Sequence, residues 1–87
     1  MSTKNVDILT PAQCRAARGL LQLSQPALAK SATIGLSTVV DFERSRRTVA
    51  PESLRKIRAA LEWAGVNFID ENGGGAGVRL RKPIRRK

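Results

Sequence analysis

The stretch TIGLSTVVDFERSRR, residues 33–47, decides how this chain is read. A small turn at 33–35 contains one glycine. An apolar-striped segment follows, in which Val39, Val40 and Phe42 serve as anchors. Their spacing predicts a short helix over residues 36–44. Three arginines close the stretch: Arg44, Arg46 and Arg47, with only Ser45 between the first and the last two. A short helix between a turn and a cationic cluster asks what lies on either side.

Upstream, Ser24 is positioned to stop one helix and cap the next. That next helix covers residues 25–32, with Leu28, Ala29 and Ala32 inward. Eight residues are too few for an isolated helix in water, so packing on neighbours must hold it. Before it, Thr10, Pro11 and Gln13 form a helix-start signature. Thr10 can cap the N–H three residues on, Gln13 can reach back, and Pro11 suits the first helical position. This first helix is expected to run to about residue 23, with Ala17, Leu20 and Leu21 on one face and Arg15, Arg18 and Gln22 around its sides.

Downstream, residues 45–50 read as a loop. Pro51 and acidic Glu52 open a fourth helix. Leu54, Ile57, Leu61 and Ala64 recur along its core face, and Gly65 offers a left-handed stop. The period then changes to two. Val66 and Phe68 alternate with Asn67 and Ile69; after DENGGGA, Val78 and Leu80 alternate with Arg79 and Arg81. That pattern around a glycine-rich turn predicts a β-hairpin. The expected organisation is a lead-in over 1–9, a helical unit over 10–65, a hairpin over 66–82 and a basic tail over 83–87. The fold class is mainly α, with four to five helices and a C-terminal β-hairpin.

A chain of 87 residues suits one domain with a modest core, for which oligomerisation is a common remedy. Its formal charge of +9 favours a polyanionic partner such as nucleic acid. The single cysteine, Cys14, allows no internal disulfide and sits in a helical pattern as a small packing residue. No run reaches the ~20 apolar residues of a membrane span, and the first ten residues lack a signal peptide's apolar core. A cytoplasmic, bacterial protein is expected, nucleoid-associated when bound. There is no histidine and no tyrosine, and no metal-ligand cluster or phosphate loop stands out. GGGAG lacks the flanking strand and helix of a nucleotide-binding loop. An enzyme is therefore the least favoured class, and no metal, cofactor or small-molecule ligand is expected. Phe42, Trp63 and Phe68 are the only aromatics, all expected in core or interface positions, which argues against a base-stacking platform.

The segment SQPALAKSATIGLSTVVDFERSRR resembles the helix-turn-helix of the Cro/C1-type (XRE) transcriptional regulators. The family pattern of Ser-Gln, Leu-Ala, a glycine-containing turn, a β-branched residue and a glutamate falls here on Ser24-Gln25, Leu28-Ala29, residues 33–35, Val39 and Glu43. The likeness spans about residues 10–61. Three positions depart from it. Thr33 stands at the usual turn glycine, Gly35 where a capping serine is common, and Ser45 where glycine is usual. The resemblance implies a lambda-repressor-like DNA-binding domain. The third helix would enter the major groove of an operator with its leading residues at base edges.

On that docking, Leu36, Ser37, Thr38 and Asp41 are the base-reading candidates. Leu36 suits a thymine methyl, Ser37 and Thr38 donate or accept, and Asp41 suits a cytosine amino group. The plainer alternative makes Ser37 and Thr38 mere helix-start residues. Ser24 and Gln25 are placed at phosphate by the second helix's N-terminus. Arg44, Arg46 and Arg47 are phosphate grips, or cations favourably placed at a helix C-terminus. The resemblance further implies that Arg18 and Glu43 pair beneath the DNA-facing surface. Lys30, Arg55, Lys56 and Arg58 are weaker phosphate candidates and more often ordinary surface.

A two-fold homodimer places two reading helices one DNA turn apart, ~34 Å. The hairpin's open edge and Val66, Phe68, Ile69, Val78 and Leu80 are the candidates for that contact, with capping of the chain's own helices as the alternative. The residues after Lys82 are expected to track the DNA backbone or enter a minor groove as a basic arm. The expected function is a sequence-specific regulator, a repressor or autoregulator reading a palindromic operator. The alternative is an antitoxin-like module that binds a regulatory protein partner, with DNA secondary. An apolar patch outside any dimer contact favours that alternative.

Overall fold

The computed structural model describes residues 8–81. Four helices are followed by two strands: α1 (Pro11–Leu21), α2 (Gln25–Ala32), α3 (Leu36–Glu43), α4 (Pro51–Ala64), β1 (Val66–Ile69) and β2 (Gly77–Leu80). The basic tail and most of the lead-in lie outside the described residues. None of the described helices is long and apolar enough to cross a membrane.

The start of α1 is a full capping box. Thr10 Oγ1 accepts from Gln13 N, and Gln13 Oε1 accepts from Thr10 N. Ser24 caps α2 through its side chain, accepting from Ala27 N at 3.1 Å. Proline stands in the first turn of α1, α2 and α4, where its missing N–H costs nothing.

One device ends each of the first three helices. Gln22, Thr33 and Ser45 adopt left-handed backbone at φ 57°, 60° and 56°. Leu23 N then bonds Arg18 O, Ile34 N bonds Ala29 O, and Arg46 N bonds Asp41 O, at 2.9, 3.0 and 2.8 Å. These six-to-one bonds close Schellman turns, and Leu23 and Ile34 turn in to pack against the core. The first turn explains why α1 stops at Leu21, two residues before the expected end. The second puts a β-branched side chain at φ 60°, an unfavourable place for it. Relief of ~1–2 kcal/mol of left-handed strain outweighs the ~0.5–1 kcal/mol flexibility cost of glycine. Thr33→Gly is therefore expected to raise the urea midpoint, by a net gain of about 0.5–1 kcal/mol. A lowered midpoint would show that the threonine side chain contributes more than its backbone costs.

The core gathers Cys14 and Ala17 from α1, Leu28, Ala29 and Ala32 from α2, Val39 and Phe42 from α3, and Leu54, Ile57 and Leu61 from α4. Leu9, left in the lead-in by the sequence, and loop residue Val49 complete it with Val66. Three expected core positions differ. Leu20 is exposed because the inward stripe of α1 runs through Cys14, Ala17 and Leu21, and Leu20 lies one residue, about 100°, off it. Ala64 is exposed because α4 ends there, the chain turns at Gly65 (φ 128°), and Val66 enters the core instead. Trp63 is 88% exposed, being two residues, about 200°, past buried Leu61.

The hairpin pairs Val66 with Leu80, Asn67 with Arg79, Phe68 with Val78 and Ile69 with Gly77. Glu71 Oε2 accepts from Gly73 N and Gly75 N, which ties the glycine-rich turn to its own carboxylate. Phe68 and Val78 pack against the helical core. Gln13 fastens the turn end: its Nε2 donates to Ile69 O at 3.2 Å and to Gly77 O at 2.9 Å. Arg58, in the sequence a weaker phosphate candidate or ordinary surface, is a second clamp. It donates to Ile8 O at 2.7 Å, pairs with Glu62 and Asp70, and lies 5.1 Å from the Phe68 ring centroid.

Candidate nucleic-acid interface

Beneath the candidate surface sits Glu43, the last residue of α3, with 2% of its surface exposed. Four side-chain donors converge on its carboxylate. Arg18 Nε reaches Oε2 at 2.7 Å and Arg18 Nη2 reaches Oε1 at 2.8 Å, a two-pronged pair. Gln25 Nε2 donates to Oε1 at 2.9 Å, and Cys14 Sγ donates to Oε2 at 3.0 Å. Arg15 Nη1 donates to the Glu43 carbonyl, where a cation suits a helix C-terminus. The pair that the resemblance implied is thus the centre of a network joining α1, α2 and α3.

The protonation states follow from this packing. Burial pushes the Glu43 carboxyl up, but the donors from Arg18, Cys14 and Gln25 outweigh it and hold the group below its ordinary range. Burial, and then the hydrogen bond to Glu43, push the Cys14 thiol far up, so it stays protonated and donates. Bonding to Glu43 strengthens the charged form of Arg18 against the cost of its own burial. Cys14 and Arg18 stand four residues apart on one side of α1, which is how both reach one carboxylate. That spacing was legible; the acceptor on a different helix was not.

Outside this network lies the leading end of α3. Leu36 is 44% exposed and Ser37 is exposed, while Thr38 is half-buried. The N-cap of α3 is Gly35, and no side chain caps it. Ser37 and Thr38 stand second and third in α3, as the helix-start alternative has them, and neither caps it.

Asp41 is paired with two arginines. Its Oδ2 accepts from Arg47 Nε at 3.0 Å, and its Oδ1 lies 3.7 Å from Arg46 Nη1. Oδ2 is engaged by Arg47, while Oδ1 has only the loose contact with Arg46 and can still accept a hydrogen bond. Arg47 Nη2 also lies 3.5 Å from Thr38 Oγ1. Arg44 is exposed and has no ion-pair partner among the described residues. At the start of α2, Ser24 Oγ is engaged as the cap and the Gln25 amide is engaged by Glu43. The Ser24 hydroxyl hydrogen and the second Gln25 amide N–H remain as donors for a phosphate, beside the exposed backbone end of α2.

The dimer candidates separate in the same way. Val66 is fully buried in its own core and cannot face a second copy. Phe68, Ile69 and Val78 are half-buried, and Leu80 is 52% exposed. The hairpin covers its own helices because the alternation that makes one face apolar aims that face at α1 and α4. Of the five, Leu80 alone remains well exposed.

Away from all of these residues, Trp63 lines an open groove of about 630 Å³ with Ser31, Ala32, Thr33, Lys56, Ala59 and Ala60. The sequence signal for it was weak: residues 56, 59, 60 and 63 share the face of α4 opposite Leu54, Ile57 and Leu61. No protein-family model matches the chain, and no curated protein is significantly similar to it.

Proposed function

We propose that the protein is a sequence-specific, double-stranded DNA-binding regulator of the Cro/C1 type, with a lambda-repressor-like helical domain that inserts α3 into the major groove. One observation carries this reading. The uncapped leading end of α3 presents Leu36 and Ser37 to solvent, on a helix whose far end is locked to α1 and α2 through Glu43 and is followed by exposed Arg44, Arg46 and Arg47. A reading helix needs that combination of a free tip and a rigid base. Leu36, Ser37 and Thr38 meet base edges, and Arg44 and Arg46 hold flanking phosphates. The charge of +9 supplies the salt-dependent part of the affinity. A homodimer sets the half-site spacing, with Leu80 as its hairpin contribution.

Footprinting on the DNA upstream of the protein's own gene tests this. Two protected, roughly palindromic half-sites are expected. Arg46→Ala should weaken binding to every duplex and make the slope of log affinity against log salt shallower by about 1. Equal affinity for arbitrary duplexes, or none, would end the reading.

A second reading is favoured by the Trp63 groove. An exposed tryptophan beside alanines, outside the hairpin contact and the arginine cluster, suits a protein partner. In that reading DNA is secondary. Co-purification of a partner that Trp63→Ala abolishes, with DNA affinity unchanged, distinguishes it.

A further inference from the structure

We infer that Arg47 is a guanine-reading residue, held in position by Asp41, and not one of the phosphate grips. The inference rests on the DNA-binding reading above and assigns a base to one side chain of that site. Arg47 leaves the loop after α3, yet its guanidinium lies back along the helix. Its Nε is 3.0 Å from Asp41 Oδ2, and its Nη2 is 3.5 Å from Thr38 Oγ1. Asp41 and Thr38 are three residues apart, hence neighbours on one face of α3. The guanidinium therefore spans a turn of α3 and points from the middle of the helix toward its leading end. That is the end which the docking places at base edges.

Chemistry favours a base over a phosphate. A carboxylate on Nε leaves the Nη1/Nη2 edge of the fork as paired donors. That edge matches guanine O6 and N7, the commonest specific contact of arginine in the major groove. The fork is also pre-oriented, so less freedom is lost on binding. A phosphate grip instead works through uncompensated charge and counterion release. Arg47 has a carboxylate in hydrogen-bond contact and Arg44 has none among the described residues. Arg46, at 3.7 Å from Asp41, is only loosely paired. The division follows: Arg44 and Arg46 for affinity, Arg47 for sequence. Asp41 is a positioning residue, whose effect on base choice runs through Arg47. Both oxygens of Asp41 already face arginines, so its influence on sequence needs no contact with a base of its own.

The test is selection of bound duplexes from a random-sequence DNA library by the full chain, followed by binding titrations with the selected duplex and its single-base changes. Wild type is expected to select a guanine at one fixed position in each half-site. Arg47→Lys keeps the charge but loses the fork. It should lower the preference for that guanine roughly 10- to 100-fold and leave other positions unchanged. Asp41→Asn should weaken the same preference at the same position without making the salt slope shallower. Thermal melts of both variants within a few degrees of wild type would show the fold intact, as the exposed pair predicts. The inference is overturned if Arg47→Lys keeps the base preference, or if Arg47→Ala lowers affinity evenly for all sequences and reduces the salt slope by about 1. It is also overturned if Asp41→Asn shifts preference at a position that Arg47→Lys leaves alone. In those outcomes wild type still selects a motif, so the DNA-binding reading survives. Selection of no motif by wild type overturns both.

Discussion

Glu43→Ala is expected to cost about 3–5 kcal/mol, the scale for removing one partner of a buried ion pair. Arg18, Gln25 and Cys14 would lose their shared acceptor in a region with little access to water. Total stability of a small domain is about 5–15 kcal/mol, so much of the margin disappears. The melting temperature should fall by on the order of 12–40 °C, at the 4–8 °C per kcal/mol of a domain this size. Calorimetry checks it, and a fall of only a few degrees would show that the network is dispensable. Arg18→Met with Glu43→Leu should recover most of the loss, because the desolvation penalty of both charges is removed together. The same carboxylate sets the acid limb of stability. Its folded-state pKa is held below the unfolded value, so between the two the unfolded chain binds more protons. The contribution is complete above the unfolded pKa of about 4.3 and is lost as pH falls through the folded value. Glu43→Gln should therefore flatten the decline below about pH 4.3. An unchanged acid limb in that variant would assign the decline to other carboxylates.

Gln13→Glu is expected to cost about 2–3 kcal/mol at neutral pH while leaving side-chain shape intact, the cost of burying a charged group against unsuitable partners. The capping oxygen can still accept from Thr10 N. The amide nitrogen, however, becomes a second carboxylate oxygen facing the carbonyls of Ile69 and Gly77, where two donated hydrogen bonds become two repulsions. The loss should fall on the hairpin first. Hydrogen exchange of the amides of β1 and β2 should accelerate well before those of α4. Lowering the pH should restore part of the loss, since a protonated carboxyl donates again. Hairpin amides as protected as in wild type would mean that Phe68 and Val78 packing, and not Gln13, fastens the hairpin.

These two residues also mark how far the sequence could be read. The capping box of Thr10 and Gln13 was legible because both partners lie within one turn, and spacing alone specifies the bonds. The second half of Gln13's work was not, because its acceptors are 56 and 64 residues away. The resemblance pairs Arg18 with Glu43, but nothing local in the sequence joins Cys14 and Gln25 to the same carboxylate, 29 and 18 residues away. Arg58 passed for surface until Ile8, Phe68 and Asp70 surrounded it. The face of the hairpin was visible as alternation, but alternation cannot say whether the apolar side meets its own helices or a second chain.

Local rules therefore decided the elements: where each helix begins, which stripe of α2 and α4 turns inward, and that two strands follow Gly65. Hydrogen bonds and side-chain contacts within a few residues carry that information, and the sequence spells those neighbours out. Only the tertiary structure decided which polar groups are spent on holding the fold and which remain to meet a partner. Gln25 is bonded to Glu43, eighteen residues on, and Trp63 is exposed. The physical reason is that a donor has the same chemistry wherever it stands. Whether it is available depends on the acceptor that folding brings to within 3 Å, often from a distant part of the chain.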